Sequence, residues 1–225
     1  MIKLSKSPLP QGVVIKNEKD YRTDPVLSLI DKDCLGKCYL CELKPLTSIN
    51  VEHRIPHNGN IALKYDWNNL FLSCVHCNNQ KTALEKNAKN ASRQFQIFDC
   101  INDDPESYIA LSLSAVNFKT CVLVIKTQNG MNVDSTVALL EEIYNGSTDL
   151  KKLESKKLCQ LITEKMDDFD NLVQSFISET DIELKQIFHG KIKAAISRST
   201  AFAAFKRKII RDNPDLSAKF AQELL

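Results

Sequence analysis

Residues 38–41 read CYLC and residues 74–81 read CVHCNNQK, and how these two stretches are paired decides the fold of everything between them. Cys38/Cys41 and Cys74/Cys77 are two Cys-x2-Cys knuckles with 32 residues between them. Each knuckle delivers two thiolates to one side of a tight turn, and four thiolates complete a tetrahedral zinc sphere. A sphere closed by four thiolates has no open position for water, so such a zinc is structural. The alternatives are four reduced core cysteines or a redox pair, but a paired spacing that occurs twice favours zinc. Cys34, Cys100, Cys121 and Cys159 have no partner spacing and read as small buried hydrophobes.

If the knuckles are joined, the chain between them folds back on itself. The segments TSINVEHRIP and NLFLSC read as two short strands around a loop rich in Asn, Gly and Pro. From Asn78 onward NNQKTALEKNA has helix formers and no breaker, so the order is strand, loop, strand, helix. Ahead of it, a polar stretch with Pro8, Pro10 and Pro25 reads as an extended arm leading into a short helix that Gly36 ends. Beyond Asp99, YIALSLSAV and KTCVLVIKT read as two strands, closing at Asn129-Gly130. The rest is helical: DSTVALLEEIYNG closes on Gly146, a stripe of helical period runs from Asp149 to Ile177, and two or three further helices follow. The expected class is α+β, a zinc-anchored ββα core followed by a mainly α-helical C-terminal region. The expected organisation is an arm plus the zinc-anchored domain over 1–100 (core 38–90), a β-hairpin connection over 101–130 and a helical region over 131–225.

The pattern CYLC…VEHRIP…WNNLFLSCVHCNNQK resembles the HNH nuclease family, the ββα-metal fold, over Cys38 to Lys81. The resemblance implies hydrolysis of phosphodiester bonds, leaving 5′-phosphate and 3′-hydroxyl ends. His53 matches the family's general base. Glu52 matches the neighbouring acid that ligates the catalytic metal, where many members carry Asp. Asn69 matches the middle Asn that holds the loop between the strands, with Asn68 as a one-residue alternative. Asn78 matches the last metal ligand and makes this an H-N-N variant, and Lys81 matches a basic residue that contacts substrate. The usual Gly-Gly of the loop is Asn58-Gly59-Asn60 here.

The chemistry asks for the same residue types. Activating water near neutral pH takes an imidazole, and the phosphate takes a hard divalent cation. The oxygens of Glu52 and Asn78 suit Mg²⁺ or Mn²⁺ better than zinc. An acid-His dipeptide by itself is most often a solvated loop; the flanking knuckles and both Asn residues are what favour catalysis. A helix starting at Asn78 would also aim backbone N–H groups at the scissile phosphate. His57 and His76 lie near this centre and read as supporting or exposed, and His189 as a polar residue near a helix end.

Charge excludes little, because 30 Lys+Arg against 28 Asp+Glu leave +2. Residues 1–100 carry 14 basic and 10 acidic side chains, a balance of +4, while 101–225 carry 16 and 18, or −2. The excess positive charge therefore travels with the half that would meet nucleic acid, DNA first. No apolar run reaches the roughly 18 residues of a membrane span, and MIKLSKSPLPQG lacks the apolar segment of a secretory signal, so a cytoplasmic protein with no membrane contact is expected. Near the C-terminus, STAFAAFKRKIIRDNPDL sets Phe202, Phe205 and Ile209 on one helical face and Lys206, Arg207, Lys208 and Arg211 around the rest, which reads as a basic solvated face first and as a contact for phosphate or a partner second. More loosely, the Lys-rich arm, nuclease core and helical tail together resemble the nuclease subunits of Septu-type and retron-associated antiviral defence systems. That likeness implies an ATPase partner bound through the helical region. The rival reading is a non-catalytic zinc-knuckle module that binds nucleic acid or protein.

Overall fold

The computed structural model describes residues 1–116 and 119–225, with the side chains of 115–121 outside the description; the expectation for Cys121 falls there. The chain opens extended, but not as a solvated arm: Met1, Ile2 and Leu4 are buried, and the Leu4 N–H donates to the Cys100 carbonyl at 2.8 Å. The expectation missed this because the arm's apolar residues are too few to show a period. Ser7 ties it to Asp33 and to the Trp67 indole. Two helices follow, α1 (Glu18–Tyr21) and α2 (Val26–Asp33). Gly36 ends α2 as expected, at φ +66 with its N–H on the Asp31 carbonyl, the left-handed geometry that favours glycine.

Strand β1 (Ile49–His53) and strand β2 (Leu70–Cys74) pair antiparallel, with Ile49 opposite Cys74 and His53 opposite Leu70. Between them, Asn58 and Gly59 both have positive φ, and the Asn60 N–H closes the turn on the His57 carbonyl. Asn-Gly is the pair that enters this region at least cost. Asn60 then caps the single-turn helix α3 (Ile61–Lys64) through the Leu63 N–H. All five residues of β2 are buried, whereas β1 buries only Glu52.

Helix α4 (Val75–Asn90) follows β2 without a break and packs across both strands. It starts three residues earlier than expected, because the second knuckle is itself the first turn and Cys74 is its cap, accepting the Cys77 N–H at 3.4 Å. Asn78 therefore lies one turn inside the helix, and the free terminal N–H groups belong to residues beside the cysteines rather than to Asn78.

A single turn, α5 (Pro105–Tyr108), leads into the antiparallel pair β3 (Ile109–Val116) and β4 (Lys119–Lys126). Helices α6 (Val133–Tyr144), α7 (Asp149–Ser178), α8 (Ile182–Ala195), α9 (Ala203–Asp212) and α10 (Pro214–Lys219) complete the chain. One apolar cluster takes residues from Met1 to Phe205, joining the opening segment, both knuckles, the second hairpin, α6 and the start of α7. A smaller one joins α7, α8, α9 and α10 around Phe169, Phe176, Ile192 and Phe220. His189 lies inside α8, not at its end, and stacks on Phe220 with centroids 4.7 Å apart.

The basic face expected on α9 is not solvated. Arg207 is 1% exposed, paired with both oxygens of Glu106 at 3.0 and 2.8 Å and donating to the Glu223 and Leu224 carbonyls. Arg211 shares the same carboxylate at 2.6 Å and Lys206 is 8% exposed. Helical spacing cannot show that a carboxylate about a hundred residues away claims Arg207 and Arg211.

Candidate active site and zinc site

The four knuckle sulfurs lie within 4.8 Å of one another and all four residues are buried; Cys41 and Cys74 are 3.8 Å apart. Four sulfurs about 2.3 Å from a central zinc in a tetrahedron stand about 3.8 Å apart, so donor set and spacing both suit zinc. Crowded together, the four thiols do not share charge equally. Cys74 gathers hydrogen bonds from Cys38, Cys41 and Cys77, and its thiol is lowered far below its ordinary value. Cys41, bonded to Cys38 and Cys74, and Cys77, held up first by burial, are raised. A dication would let all four ionise. Cys34 and Cys100 stand apart, pushed up to about 12 by burial, as inert small hydrophobes should be.

The first knuckle also joins the core to the C-terminal helices. Glu42, directly after Cys41, is fully buried with positive φ and pairs with Lys37 at 2.8 Å. Its carboxylate accepts the Ala204 N–H at the start of α9 at 3.3 Å. Burial alone would raise Glu42, but Lys37 and the α-amino group outweigh it and hold the carboxyl at about 2.

Beside this cluster is a cleft of about 440 Å³ whose lining includes Glu52, His53, His57, Lys64, Asn78, Lys81 and Glu85, with Glu18, Tyr21 and Arg22 on its rim. His53, the last residue of β1, has Nε2 2.9 Å from the Lys64 carbonyl. A carbonyl only accepts, so Nε2 carries the proton and Nδ1 keeps its lone pair. Among the described residues Nδ1 has no protein partner. The ring stands edge-on to Tyr21 at 5.9 Å and 5.0 Å from His57. His57 is drawn below its ordinary value by burial and by the neighbouring His53, and its Nδ1 accepts the Gly59 N–H at 3.2 Å.

Asn69 is 1% exposed and makes three hydrogen bonds to the loop. Its Oδ1 accepts the Ile55 N–H at 2.7 Å, and its Nδ2 donates to the Ile55 and Leu63 carbonyls at 2.9 and 3.0 Å. Lys64, whose carbonyl orients His53, is the next residue. Asn68 is exposed and makes no loop contact of this kind, so Asn69 holds the loop.

Glu52 is 4% exposed, and both its oxygens are engaged. Oε2 accepts from the Tyr39 hydroxyl, which burial and Glu52 itself keep protonated well above its usual range. Oε1 lies 2.6 Å from Lys81 Nζ. Lys81 also donates to the His53 carbonyl at 2.8 Å and contacts Glu85, leaving it 3% exposed. Burial would lower Lys81, but the two carboxylates outweigh it and raise its pKa. Asn78 lines the same cleft half-buried, with no hydrogen bond from its carboxamide among the described residues. Glu52, His53, Asn78 and Lys81 thus share one cleft, with Asn69 just behind it.

Sequence reasoning missed Tyr39, Glu85 and the Lys64 carbonyl. Glu85 carried a signal: at i+4 from Lys81 it shares a helical face. Tyr39 and Lys64 carried none, because one acts through a tertiary contact and the other through its backbone. His76, read as exposed or supporting, donates its Nε2–H to the Ile143 carbonyl at 2.8 Å and turns Nδ1 toward the Glu154 carboxylate at 3.3 Å.

With this geometry in view, residues 36–84 match the family model described as HNH endonuclease. The match supports nuclease activity and action on nucleic acid for that part of the chain. No curated protein and no solved structure matches the chain. Among the described residues no helix is long and apolar enough to cross a membrane.

Proposed function

We propose that this chain is a metal-dependent endonuclease of the HNH type that hydrolyses phosphodiester bonds in DNA. The observation that carries the reading is His53, whose Nε2 is committed to a backbone carbonyl while Nδ1 remains a free base in a cleft lined by Glu52 and Asn78. A water in line with the scissile phosphate gives its proton to Nδ1, and the imidazolium that results is steadied by the Lys64 carbonyl dipole. The products are a 5′-phosphate and a 3′-hydroxyl. Asn69 acts through the loop, fixing the carbonyl that fixes the ring. Glu52 and Asn78 are the residues that would hold a Mg²⁺ or Mn²⁺ ion, and such an ion supplies neutralising charge at the phosphate and the leaving oxygen. The carboxamide of Asn78, unpaired among the described residues, leaves its oxygen free to ligate. Arg22 and Lys64, which share Glu18 at the cleft, would meet backbone phosphates.

The reading extends to a cytoplasmic effector subunit of an antiviral defence complex, with an ATPase partner at the helical region. What supports a partner there is the apolar surface of α8, which leaves Ile182 74% and Ile187 52% exposed. Co-purification with a candidate ATPase tests that part.

The test of the nuclease reading is incubation of purified protein with plasmid DNA, single-stranded DNA and tRNA, in Mg²⁺, Mn²⁺ or EDTA. The expected result is metal-dependent DNA cleavage that His53→Ala lowers by about 10²–10⁴-fold, the usual size of general-base loss, at unchanged zinc content. If His53→Ala cleaves like the wild type in saturating metal, the base assignment is wrong; if the wild type cleaves none of the three substrates with either metal, the non-catalytic zinc module replaces the nuclease reading.

A further inference from the structure

Glu52 is the proposed metal ligand, yet its cation position is already filled. Lys81 Nζ lies 2.6 Å from Oε1, and the Tyr39 hydroxyl takes Oε2. A divalent ion bound to Oε1 would stand within a few ångströms of the ammonium, where two like charges repel by several kcal/mol even at an effective dielectric of about 20. The two cannot both keep contact with that oxygen. Lys81 has somewhere else to go: Glu85, one turn further along α4 and lining the same cleft, already touches Nζ. Glu85 is itself held above its ordinary value, first by burial, so it gains from a full share of the ammonium.

We infer that Lys81 is a resident counter-ion of the metal subsite: it competes with the divalent ion for Glu52, and Glu85 receives it when the ion binds. The inference rests on the reading of Glu52 as a metal ligand and deepens it into a control of loading. Lys81, expected from the motif to contact substrate, is instead committed inside the chain. With the ammonium in place the buried carboxylate is neutralised, so the cleft is stable without an ion and takes one only when enough is present to displace the lysine. The swap changes no covalent bond.

The test uses the full zinc-loaded chain. In wild type, Mg²⁺ is titrated while lysine ammonium signals are followed by ¹⁵N-detected NMR, and Mn²⁺ binding is measured by electron paramagnetic resonance. The Lys81 signal should move with the midpoint of metal binding. Lys81→Met should tighten Mn²⁺ binding by about tenfold or more, the size expected when one directly contacting charge is removed. Lys64→Met is the control: it removes a charge from the same cleft, one paired with Glu18 at 2.8 Å and not with Glu52, and should change affinity far less. An unmoved Lys81 signal at saturating Mg²⁺, an absence of Mn²⁺ binding beyond the zinc site, or a Lys81→Met effect no larger than that of Lys64→Met would overturn the inference. The NMR arm needs no variant to fold. Wild type that shows the lysine shift but cleaves no nucleic acid sinks the nuclease reading alone; wild type that cleaves with Lys81 unmoved sinks this inference alone.

Discussion

Replacing Asn69 with Ala should cost both stability and activity, by a route that can be followed atom by atom. The side chain makes three hydrogen bonds of 2.7–3.0 Å to Ile55 and Leu63 and is 1% exposed. At about 1 kcal/mol for each neutral hydrogen bond, their loss amounts to about 3 kcal/mol. For a chain of this size 1 kcal/mol moves Tm by about 2–4 °C, so the melting temperature should fall by about 6–12 °C. The functional cost comes through Lys64, which adjoins Leu63 and whose carbonyl fixes the His53 tautomer. With the loop loosened, cleavage should fall by about 10²-fold, the scale of a misplaced reacting group. Asn69→Asp should be worse, because it turns two carbonyl acceptors at 2.9 and 3.0 Å toward a carboxylate that donates nothing. Thermal unfolding followed by circular dichroism and plasmid nicking at a temperature where both variants stay folded would measure the two effects separately. If Asn69→Ala melts like wild type and nicks at the wild-type rate, the loop does not depend on Asn69 and the positioning argument is wrong.

Other outcomes follow from the buried charge and the knuckles. Cys77→Ser opens the sulfur cluster beneath the first turn of α4, so zinc, thermal stability and cleavage should disappear together, given about 10–16 kcal/mol of apparent folding energy from such a site; metal analysis beside a melting curve checks it. Arg207→Met leaves the buried Glu106 with Arg211 alone and should destabilise by about 3–5 kcal/mol, read from urea unfolding, with cleavage per folded molecule unchanged. Glu42→Gln should destabilise near neutral pH. Because the folded Glu42 carboxyl is held at about 2, below its ordinary 4.5, its contribution is complete above about pH 4.5 and is lost as the pH falls toward about 2, so the gap between wild type and variant should narrow on acidification.

What could be read along the chain was whatever local chemistry dictates. Knuckle spacing grouped Cys38, Cys41, Cys74 and Cys77 in sequence just as their sulfurs are grouped in space, because a two-residue spacer permits little else. The strand–loop–strand–helix order, the hairpin after Asp99 and the long α7 were legible from period and breakers. That Asn69 would be tied to the loop between the strands was legible, because the motif sets it directly before β2. The helix start was missed by three residues because a cysteine served as its cap, which propensity does not anticipate.

The tertiary structure decided the rest. A lone ionisable residue in sequence has a charge but no partner, and its partner settles what it does. Lys81 and Arg207 look alike as surface cations; folding desolvates both, and a buried ammonium or guanidinium is tolerable only beside carboxylates supplied from elsewhere. Glu52 and Glu85 claim the first, Glu106 the second. The tautomer of His53 likewise depends on a carbonyl carried in by α3, a backbone atom that every residue type possesses and that no residue identity can announce.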